Sequence, residues 1–338
     1  MTNTPGTDLP TIAFGTTGMD ITRVGFGAWA VGGTGWSGGW GPQDDTESVA
    51  AIRRAVERGV NWVDTAWVYG SGHSEEVVRG ALSVFSDADR PYVFTKCGPV
   101  EPAVRTDEPI ATGDPKALRE QVAASLRRLG TDSVDLMQMH WEAEDGVELE
   151  VYWQALLDMK AGGLYRAVGL SNFDTSQLER AEQLGHVDTL QPPFSAIDRR
   201  AGADLLPWCR EHDTGVIVYS PMQAGLLTGA FSPERVESLP EDDWRKSDAD
   251  FTENLTANLA VATAMAAVAE RHGVSTAAAA AAWTIAWPGV SGAIVGARSA
   301  AQVDGWLDAA TLVYDDEDLA SVASAIEASG AGEGPRRP

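Results

Sequence analysis

Short apolar runs alternate along this chain with longer segments in which apolar residues recur at helical spacing. The runs have the length of buried strands, and the longer segments are typical of amphipathic helices. Leu118, Val122, Leu126 and Leu129, for example, form one helical stripe. A hairpin is predicted first, at residues 11–14 and 19–22. Eight further strands are predicted at residues 24–27, 62–64, 92–96, 134–140, 165–170, 189–191, 215–219 and 292–295.

Eight strand–helix units without an intervening linker predict an α/β protein with the (β/α)8 TIM-barrel architecture. We expect a single domain over residues 11–328, with an N-terminal β-hairpin and extra helices, and loose termini at residues 1–10 and 329–338. In such a barrel the active site lies at the carboxyl ends of the strands. The long segment 231–251, which follows the seventh strand, is therefore predicted to lie on the catalytic face.

The balance of charge restricts the partners that this surface can bind. The 338 residues include 25 Lys and Arg against 49 Asp and Glu, a net charge of −24. Such a surface repels phosphate backbones and anionic lipids, so we expect neither a nucleic-acid nor a membrane partner. Residues 273–297 carry no charge, but they are rich in Ala and are interrupted by Pro288-Gly289. This pattern favours a helix, a turn and a strand over a membrane span.

Cysteine content and the first residues indicate the compartment. Cys97 and Cys209 are too few for a disulfide framework, and the chain has no Cys/His spacing typical of a metal site. Residues 1–10 are polar and do not resemble a signal peptide. We therefore expect a cytoplasmic protein without a bound metal. The sequence does not decide between a monomer, the default, and an oligomer.

Titratable side chains stand at the ends of several predicted strands. Asp64 ends the second strand, Lys96 the third and His140 the fourth, and Tyr69 follows on the loop after Asp64. A buried lysine requires a counter-charge, and Asp64 is the expected partner of Lys96. The ammonium is expected to lower the pKa of Tyr69, whose phenol could then protonate the oxygen of a carbonyl during its reduction. Buried ion pairs and rim histidines also occur for purely structural reasons.

The segment that begins at Asp64 carries the first of eight ordered motifs. They are DTAWVYGSGHSE at 64–75, FTK at 94–96, MHW at 139–141, VGLSNF at 168–173, QPPF at 191–194, VYSP at 218–221, GLLTG at 225–229 and VGAR at 295–298. In this order they resemble the aldo-keto reductase superfamily across roughly residues 11–325. Within that superfamily the chain is most similar to the bacterial branch related to the potassium-channel β-subunits.

The resemblance implies an NADPH-dependent carbonyl reductase with a catalytic tetrad of Asp64, Tyr69, Lys96 and His140, in which Tyr69 is the general acid. It also implies cofactor contacts that run from the nicotinamide to the adenosine end of the cofactor. These are Ser171, Asn172 and Gln191 at the carboxamide, Tyr219 on the ring, Ser220, Pro221, Gly225 and Leu226 in the loop over the pyrophosphate, Arg245 as a clamp, and Gly296, Arg298 and Gln302 towards the 2′-phosphate and adenosine. Relatives often carry Glu-Asn where this chain has Gly305-Trp306, so NADH stays open as the cofactor.

Tryptophans near the strand ends predict an aromatic substrate pocket. Trp29, Trp67 and Trp141 all lie on loops that follow strands, and Trp36 and Trp40 either join them or cap the barrel rim. Aromatic walls favour aryl or medium-sized apolar aldehydes and ketones.

Three alternatives to a carbonyl reductase stay open. The same tetrad could oxidise a sugar or polyol with NAD(P)⁺, or the protein could be a cofactor-sensing regulatory subunit with little turnover. A barrel aldolase with Lys96 as its Schiff-base residue is the weakest alternative, because it leaves Tyr219, Arg245 and Arg298 without a role.

Overall fold

A computed structural model describes residues 9–36, 38–39, 41–100, 110–241 and 243–338. Its centre is a closed barrel of eight parallel strands, each hydrogen-bonded to the next, and the last strand pairs with the first. The barrel strands are β3 (Val24–Gly27), β4 (Trp62–Asp64), β5 (Tyr92–Cys97), β8 (Val134–Met139), β9 (Tyr165–Ser171), β10 (Thr189–Gln191), β11 (Gly215–Val218) and β12 (Gly292–Gly296). The predicted (β/α)8 TIM barrel is confirmed, and all eight predicted strands agree with these to within one residue at each end.

Helices surround the barrel. They are α1 (Asp45–Glu57), α2 (His73–Leu82), α3 (Pro115–Leu129), α4 (Leu149–Ala161), α5 (Thr175–Glu182), α6 (Leu205–Glu211), α7 (Pro233–Glu237), α8 (Leu255–His272), α9 (Thr276–Ile285), α10 (Ala300–Trp306) and α11 (Asp316–Ser329). The stripe predicted on α3 is buried against the barrel. Residues 273–297 form α9, a turn and β12, as predicted. None of the helices among the described residues is long and apolar enough to cross a membrane.

The predicted N-terminal hairpin is formed by β1 (Thr11–Ala13) and β2 (Asp20–Thr22), and it closes the amino-terminal end of the barrel. Phe14 and Met19, at its turn, pack against barrel-interior residues that include Trp62 and Phe94. The Trp62 indole fits because Gly25 has no side chain: a Cβ at Gly25 would lie 2.2 Å from the indole ring. Since this end is filled, the opposite end, where the strands finish, is left for a binding site.

A short antiparallel pair, β6 (Pro99–Val100) and β7 (Ile110–Ala111), was not predicted. These strands are two residues long, and such short runs carry no recognisable apolar period.

The carboxyl-terminal segment corrects the expectation of a loose tail at residues 329–338. The guanidinium of Arg199, which is 2% exposed, donates to the carbonyl oxygens of Ala331 and Pro335 at 3.1 and 3.0 Å. The backbone of Glu333 bonds to Ile197 and Arg199. A buried guanidinium needs acceptors for its N–H groups, and the tail carbonyls supply them. Most of the predicted loose N-terminus, residues 1–8, lies outside the described residues.

Candidate active site

A cleft of about 760 Å³ opens at the carboxyl ends of the barrel strands. Its size is that of a site for a cofactor and a small substrate. Most of the predicted site residues line it. They are Trp29, Asp64, Tyr69, His140, Trp141, Asn172, Gln191, Tyr219, Ser220, Gly225, Arg245, Gly296, Arg298 and Gln302.

Five predicted residues do not line the cleft. Lys96 and Ser171 are buried beneath the cleft floor and touch residues that line it. Pro221 and Leu226 are buried within their own loop. Trp67 is half-buried, is not among the residues that line the cleft, and packs against the cluster of Ala66, Val68 and Tyr69. Successive loop residues point in different directions, and Tyr69 takes the inward direction in this loop.

Lys96 joins two cleft residues from below. Its Nζ donates to Asp64 Oδ1 at 2.5 Å, to the carbonyl oxygen of Thr65 at 2.9 Å and to the phenol oxygen of Tyr69 at 3.3 Å. The side chain of Lys96 is fully buried, and Asp64 and Tyr69 are 2% and 4% exposed. Lys96 is buried beneath the cleft and does not line it, so its Nζ is not exposed to the carbonyl of a substrate in the cleft. The aldolase alternative loses its support.

Burial changes the acid–base properties of this group. It raises the pKa of Tyr69 well above its ordinary value, and the charges on Asp64 and Tyr219 raise it further. The pKa of Tyr69 is therefore raised and not lowered as expected, because burial disfavours the phenolate more strongly than the Lys96 ammonium, itself paired with Asp64, favours it. Burial also lowers the pKa of Lys96 and raises that of Asp64, while their mutual attraction opposes both shifts.

His140 completes the reactive end of the cleft. Its ring lies edge-on to Tyr69, with centroids 5.8 Å apart, and stacks on Trp141 at 3.8 Å. Burial, followed by the charge on Lys96, lowers the pKa of His140 well below its usual value. The imidazole is therefore neutral at physiological pH and can hydrogen-bond an oxygen without carrying charge.

Aromatic rings enclose the phenol of Tyr69. The ring centroids of Trp29 and Trp36 lie 5.1 and 5.6 Å from that of Tyr69. Trp29 is fixed by a 2.7 Å hydrogen bond from its Nε1 to the carbonyl oxygen of Gly38. Trp36 therefore joins the aromatic cluster, whereas Trp40 lies outside the described residues.

Amide and hydroxyl groups next to His140 form one network. Asn172 Nδ2 donates to the carbonyl oxygen of His140 at 3.0 Å, and its Oδ1 accepts from the Tyr219 hydroxyl at 2.8 Å. Ser171 Oγ donates to the carbonyl oxygen of Gln191 at 2.8 Å. Asn172 has a φ of 65°, a conformation that non-glycine residues adopt mainly where surrounding contacts hold them.

The loop after β11 is also held in an unusual conformation. Ser220, Gln223 and Ala224 have φ values of 56°, 45° and 50°. Gln223 accepts from Ser195 Oγ at 2.8 Å and donates to Asp250 at 2.7 Å, which ties the loop to segments on both sides. The amide nitrogen of Leu226 donates to the carbonyl oxygen of Gln223 within the loop, so it is not directed at a pyrophosphate. Sequence reasoning missed Gln223, since its role depends on partners far away in the chain.

Arginines gather at the other end of the cleft. Arg245 makes a two-point ion pair with Asp243, and its guanidinium lies 5.5 Å from the ring centroid of Phe231. Arg298 donates through Nε to Gln43 at 2.7 Å, and its backbone N–H donates to Gln302 at 2.7 Å. Arg235, which was not predicted, also lines the cleft. In a protein of net charge −24, these arginines bring positive charge to a cleft that Asp248 and Asp250 also line.

The Ser-Glu part of the first motif is structural. Ser74 Oγ donates to the carbonyl oxygen of Ala28 at 2.9 Å. Glu75, which is fully buried, accepts from Thr95 Oγ1 at 2.7 Å and from Arg128 Nε at 2.6 Å. These contacts anchor α2 to the barrel directly after the loop that carries Tyr69. Among the described residues, no group of three or more His, Cys, Asp or Glu side chains could hold a metal ion.

The donor set of the cleft fits a nicotinamide dinucleotide. The cleft brings together a phenol, an imidazole and amide groups, and arginines also line it. The phenol, imidazole and amide groups suit the uncharged nicotinamide and a reacting carbonyl, and the arginines suit phosphates.

Comparisons with known proteins agree with this geometry. A family model described as Aldo/keto reductase family matches residues 23–327. Aldo-keto reductase YhdN of Bacillus subtilis (strain 168) is 29% identical over 313 residues, which cover 92% of each protein. The NADH-specific methylglyoxal reductase of Escherichia coli (strain K12) is 34% identical over 235 residues, 67% of this chain and 71% of that protein.

Two solved structures are similar over nearly their whole length. The glycerol dehydrogenase AKR11B4 from Gluconobacter oxydans has a TM-score of 0.85 at 32% identity, covering 96% of this chain and 97% of that chain. The thermostable aldo-keto reductase Tm1743, solved with the inhibitor epalrestat, has a TM-score of 0.72 at 25% identity, covering 94% and 100%.

Proposed function

This chain belongs to the aldo/keto reductase family, and we propose that it reduces aldehydes and ketones to alcohols with NADPH, using Tyr69 as the general acid. The family makes it an NAD(P)H-dependent oxidoreductase that acts on small carbonyl compounds. The observation that carries the assignment of the acid is the contact of Lys96 Nζ with both Asp64 and the Tyr69 hydroxyl. We place this activity in the cytoplasm.

In the proposed reaction Asn172, Gln191 and Tyr219 would hold the nicotinamide, which would supply a hydride to the carbonyl carbon. The oxygen of the carbonyl then gains negative charge and takes the proton of Tyr69. The raised pKa of Tyr69 keeps this proton in place at neutral pH until an oxygen of higher basicity forms. Neutral His140 donates a hydrogen bond that orients the carbonyl oxygen.

Lys96 acts on the charge that appears when the proton leaves. The resulting phenolate lies 3.3 Å from the Nζ ammonium, so their attraction is present after proton transfer and absent before it. An interaction of this kind lowers the barrier because it strengthens towards the transition state. Asp64 in turn keeps Lys96 protonated in a buried position.

NADPH is proposed over NADH because cations line the far end of the cleft. Arg298 can meet the additional phosphate of NADPH, and Arg245 and Arg235 add positive charge along the cleft. Similarity to an NADH-specific reductase supports NADH as the alternative. Gln43 accepts a hydrogen bond from Arg298 Nε, so the guanidinium is held in place before a ligand arrives, and Gln302 holds the backbone N–H of the same residue.

A second candidate is oxidation of a sugar or polyol with NAD(P)⁺. The similarity to a glycerol dehydrogenase favours it. The same residues serve both directions, with Tyr69 as the base in oxidation. The raised pKa of Tyr69 favours reduction at neutral pH, because a base must first lose its proton.

Initial rates distinguish these candidates. Reduction of 4-nitrobenzaldehyde is followed at 340 nm with NADPH and, in parallel, with NADH, and glycerol oxidation is followed with NADP⁺. We expect NADPH-dependent reduction to be the fastest of the three at pH 7. Cofactor binding without turnover of any carbonyl in a panel of aryl and aliphatic aldehydes would support the regulatory-subunit alternative instead.

A further inference from the structure

We propose that Gln138, on β8, is a positioning residue that fixes the Gln191 amide so that its oxygen serves as an acceptor for the carboxamide N–H of the nicotinamide. This inference rests on the proposed function, since it concerns how the cofactor is held. Gln138 was absent from the site residues that the sequence indicated. It is fully buried in the barrel and lies two residues before His140.

Gln138 lies in a row of paired residues that crosses four strands. Its register partners are Lys96 on β5 and Gly169 on β9, and Gly169 is in turn paired with Thr189 on β10. From this position Gln138 Nε2 donates to Thr189 Oγ1 at 3.2 Å, and Gln138 Oε1 accepts from Gln191 Nε2 at 2.8 Å. Its side chain therefore extends past β9 to reach β10.

Gly169 makes this reach possible. A Cβ at this position would lie 2.0 Å from Thr189 Oγ1 and 2.5 Å from the Thr189 carbonyl oxygen. Any side chain at Gly169 would occupy the space in which Gln138 meets Thr189. The backbone conformation of Gly169 is not left-handed, so the missing Cβ, and not unusual dihedral angles, accounts for glycine here.

The two acceptors of Gln191 determine its orientation. Nε2 donates to Asp64 Oδ2 at 2.9 Å as well as to Gln138, so both amide hydrogens are used. An inverted amide would set Oε1 against the Asp64 carboxylate, which is unfavourable. Asp64 thus directs Nε2 of the Gln191 amide into the barrel. Gln138 accepts the second hydrogen of Nε2 and so prevents the amide from rotating about its hydrogen bond to Asp64. The polar atom left for a ligand is Oε1.

Neighbouring groups direct their hydrogens inward in the same way. Asn172 Nδ2 donates to the His140 carbonyl oxygen and to Ser171 Oγ, and Ser171 Oγ donates to the Gln191 carbonyl oxygen. The hydrogens around the Gln191 side chain are therefore used within the protein, which leaves Gln191 Oε1 as the acceptor for a ligand there. A primary carboxamide supplies the matching N–H donors.

The test compares binding of NADP⁺ with binding of its 3-acetylpyridine analogue, in which a methyl group replaces the carboxamide NH₂. Dissociation constants come from quenching of tryptophan fluorescence and need no turnover. Wild type should prefer NADP⁺ by roughly five- to tenfold, the effect of one hydrogen bond. Gln138→Leu frees the Gln191 amide to rotate, so the preference should fall to within about twofold.

Three further variants separate positioning from general stability. Gln138→Glu, protonated in its buried site, keeps an acceptor towards Gln191 and a donor towards Thr189, and should restore most of the preference. Tyr165→Phe removes a buried hydrogen bond to the Leu156 carbonyl oxygen away from the cleft, and should leave the preference unchanged. Thr189→Val removes the hydroxyl that accepts from Gln138 Nε2 and should also reduce the preference for NADP⁺. This variant tests the inference if Gln138→Leu does not fold.

An unchanged preference in folded Gln138→Leu or, if that variant does not fold, in Thr189→Val would overturn the inference. An equal loss in Tyr165→Phe would do the same. If wild type binds both dinucleotides equally, the inference fails while the proposed cofactor stands. If wild type binds neither, the proposed function itself fails.

Discussion

Replacing Asp64 by Asn removes the counter-charge of Lys96 with little change in shape. The Asp64–Lys96 ion pair is 2.5 Å long, and both side chains are almost completely buried. At an effective dielectric constant of about 20, charges at this distance attract each other by ~7 kcal/mol, and desolvation cancels part of that gain. Breaking one partner of such a pair typically destabilises a protein by about 3–5 kcal/mol. We expect a loss in this range for Asp64→Asn.

The consequence for catalysis follows from the pKa of Lys96. Burial already lowers this pKa, and Asp64 opposes the shift. Without Asp64 the pKa of Lys96 should fall further, so less ammonium is present to stabilise the Tyr69 phenolate. Turnover should fall by about 10²-fold or more, the typical effect of removing one transition-state interaction.

A double-mutant cycle separates the two effects. Asp64→Asn, Lys96→Met and the double variant are compared by urea unfolding and by NADPH-dependent reduction of 4-nitrobenzaldehyde. The double variant buries no uncompensated charge, so it should recover most of the lost stability. It should recover none of the turnover, because the ammonium is absent.

Recovery of turnover together with stability would refute this reasoning, since it would reduce the role of the pair to folding. Strictly additive losses of stability would contradict the ion pair itself.

Three other outcomes follow. Arg298→Ala should weaken NADPH binding by about tenfold and NADH binding by less than about twofold in fluorescence titrations, and equal losses would contradict a phosphate contact. Because the pKa of Tyr69 is raised, alcohol oxidation should accelerate steadily from pH 7 to about pH 10, while reduction stays nearly flat from pH 6 to 8; a pH-independent oxidation rate would argue against Tyr69 as the base. Arg128→Met leaves Glu75 buried without its cation and should destabilise the protein by about 3 kcal/mol in urea unfolding. Arg127→Met, at an exposed position of the same helix, should change stability little.

The barrel could be predicted because its signals are local. Each strand is a short apolar run followed by a segment with apolar residues at helical spacing. The strands β3, β4 and β10 have the predicted bounds. The docking of the carboxyl-terminal segment could not be predicted, because its partner Arg199 is more than 130 positions away from Pro335. An Arg in a polar stretch does not reveal that tail carbonyls will satisfy it.

The part of the site that could be predicted consists of titratable residues at the ends of strands. Asp64, Tyr69 and His140 come together as expected, and Lys96 lies beneath them. The direction of the Tyr69 pKa shift could not be predicted, because it depends on burial and on how fully Asp64 neutralises Lys96. Gln138 was missed for a related reason: a single amide within an apolar strand gives no sign of the partners that it will meet across the barrel.

The central claim is that Tyr69 donates the proton, and Tyr69→Phe tests it most directly. Phenylalanine keeps the ring that packs against Trp29 and Trp36 and removes the hydroxyl that contacts Lys96. We expect the variant to bind NADPH with an affinity within about twofold of wild type and to reduce 4-nitrobenzaldehyde about 10²- to 10⁴-fold more slowly. Turnover within tenfold of wild type, at equal cofactor affinity, would show that another group supplies the proton.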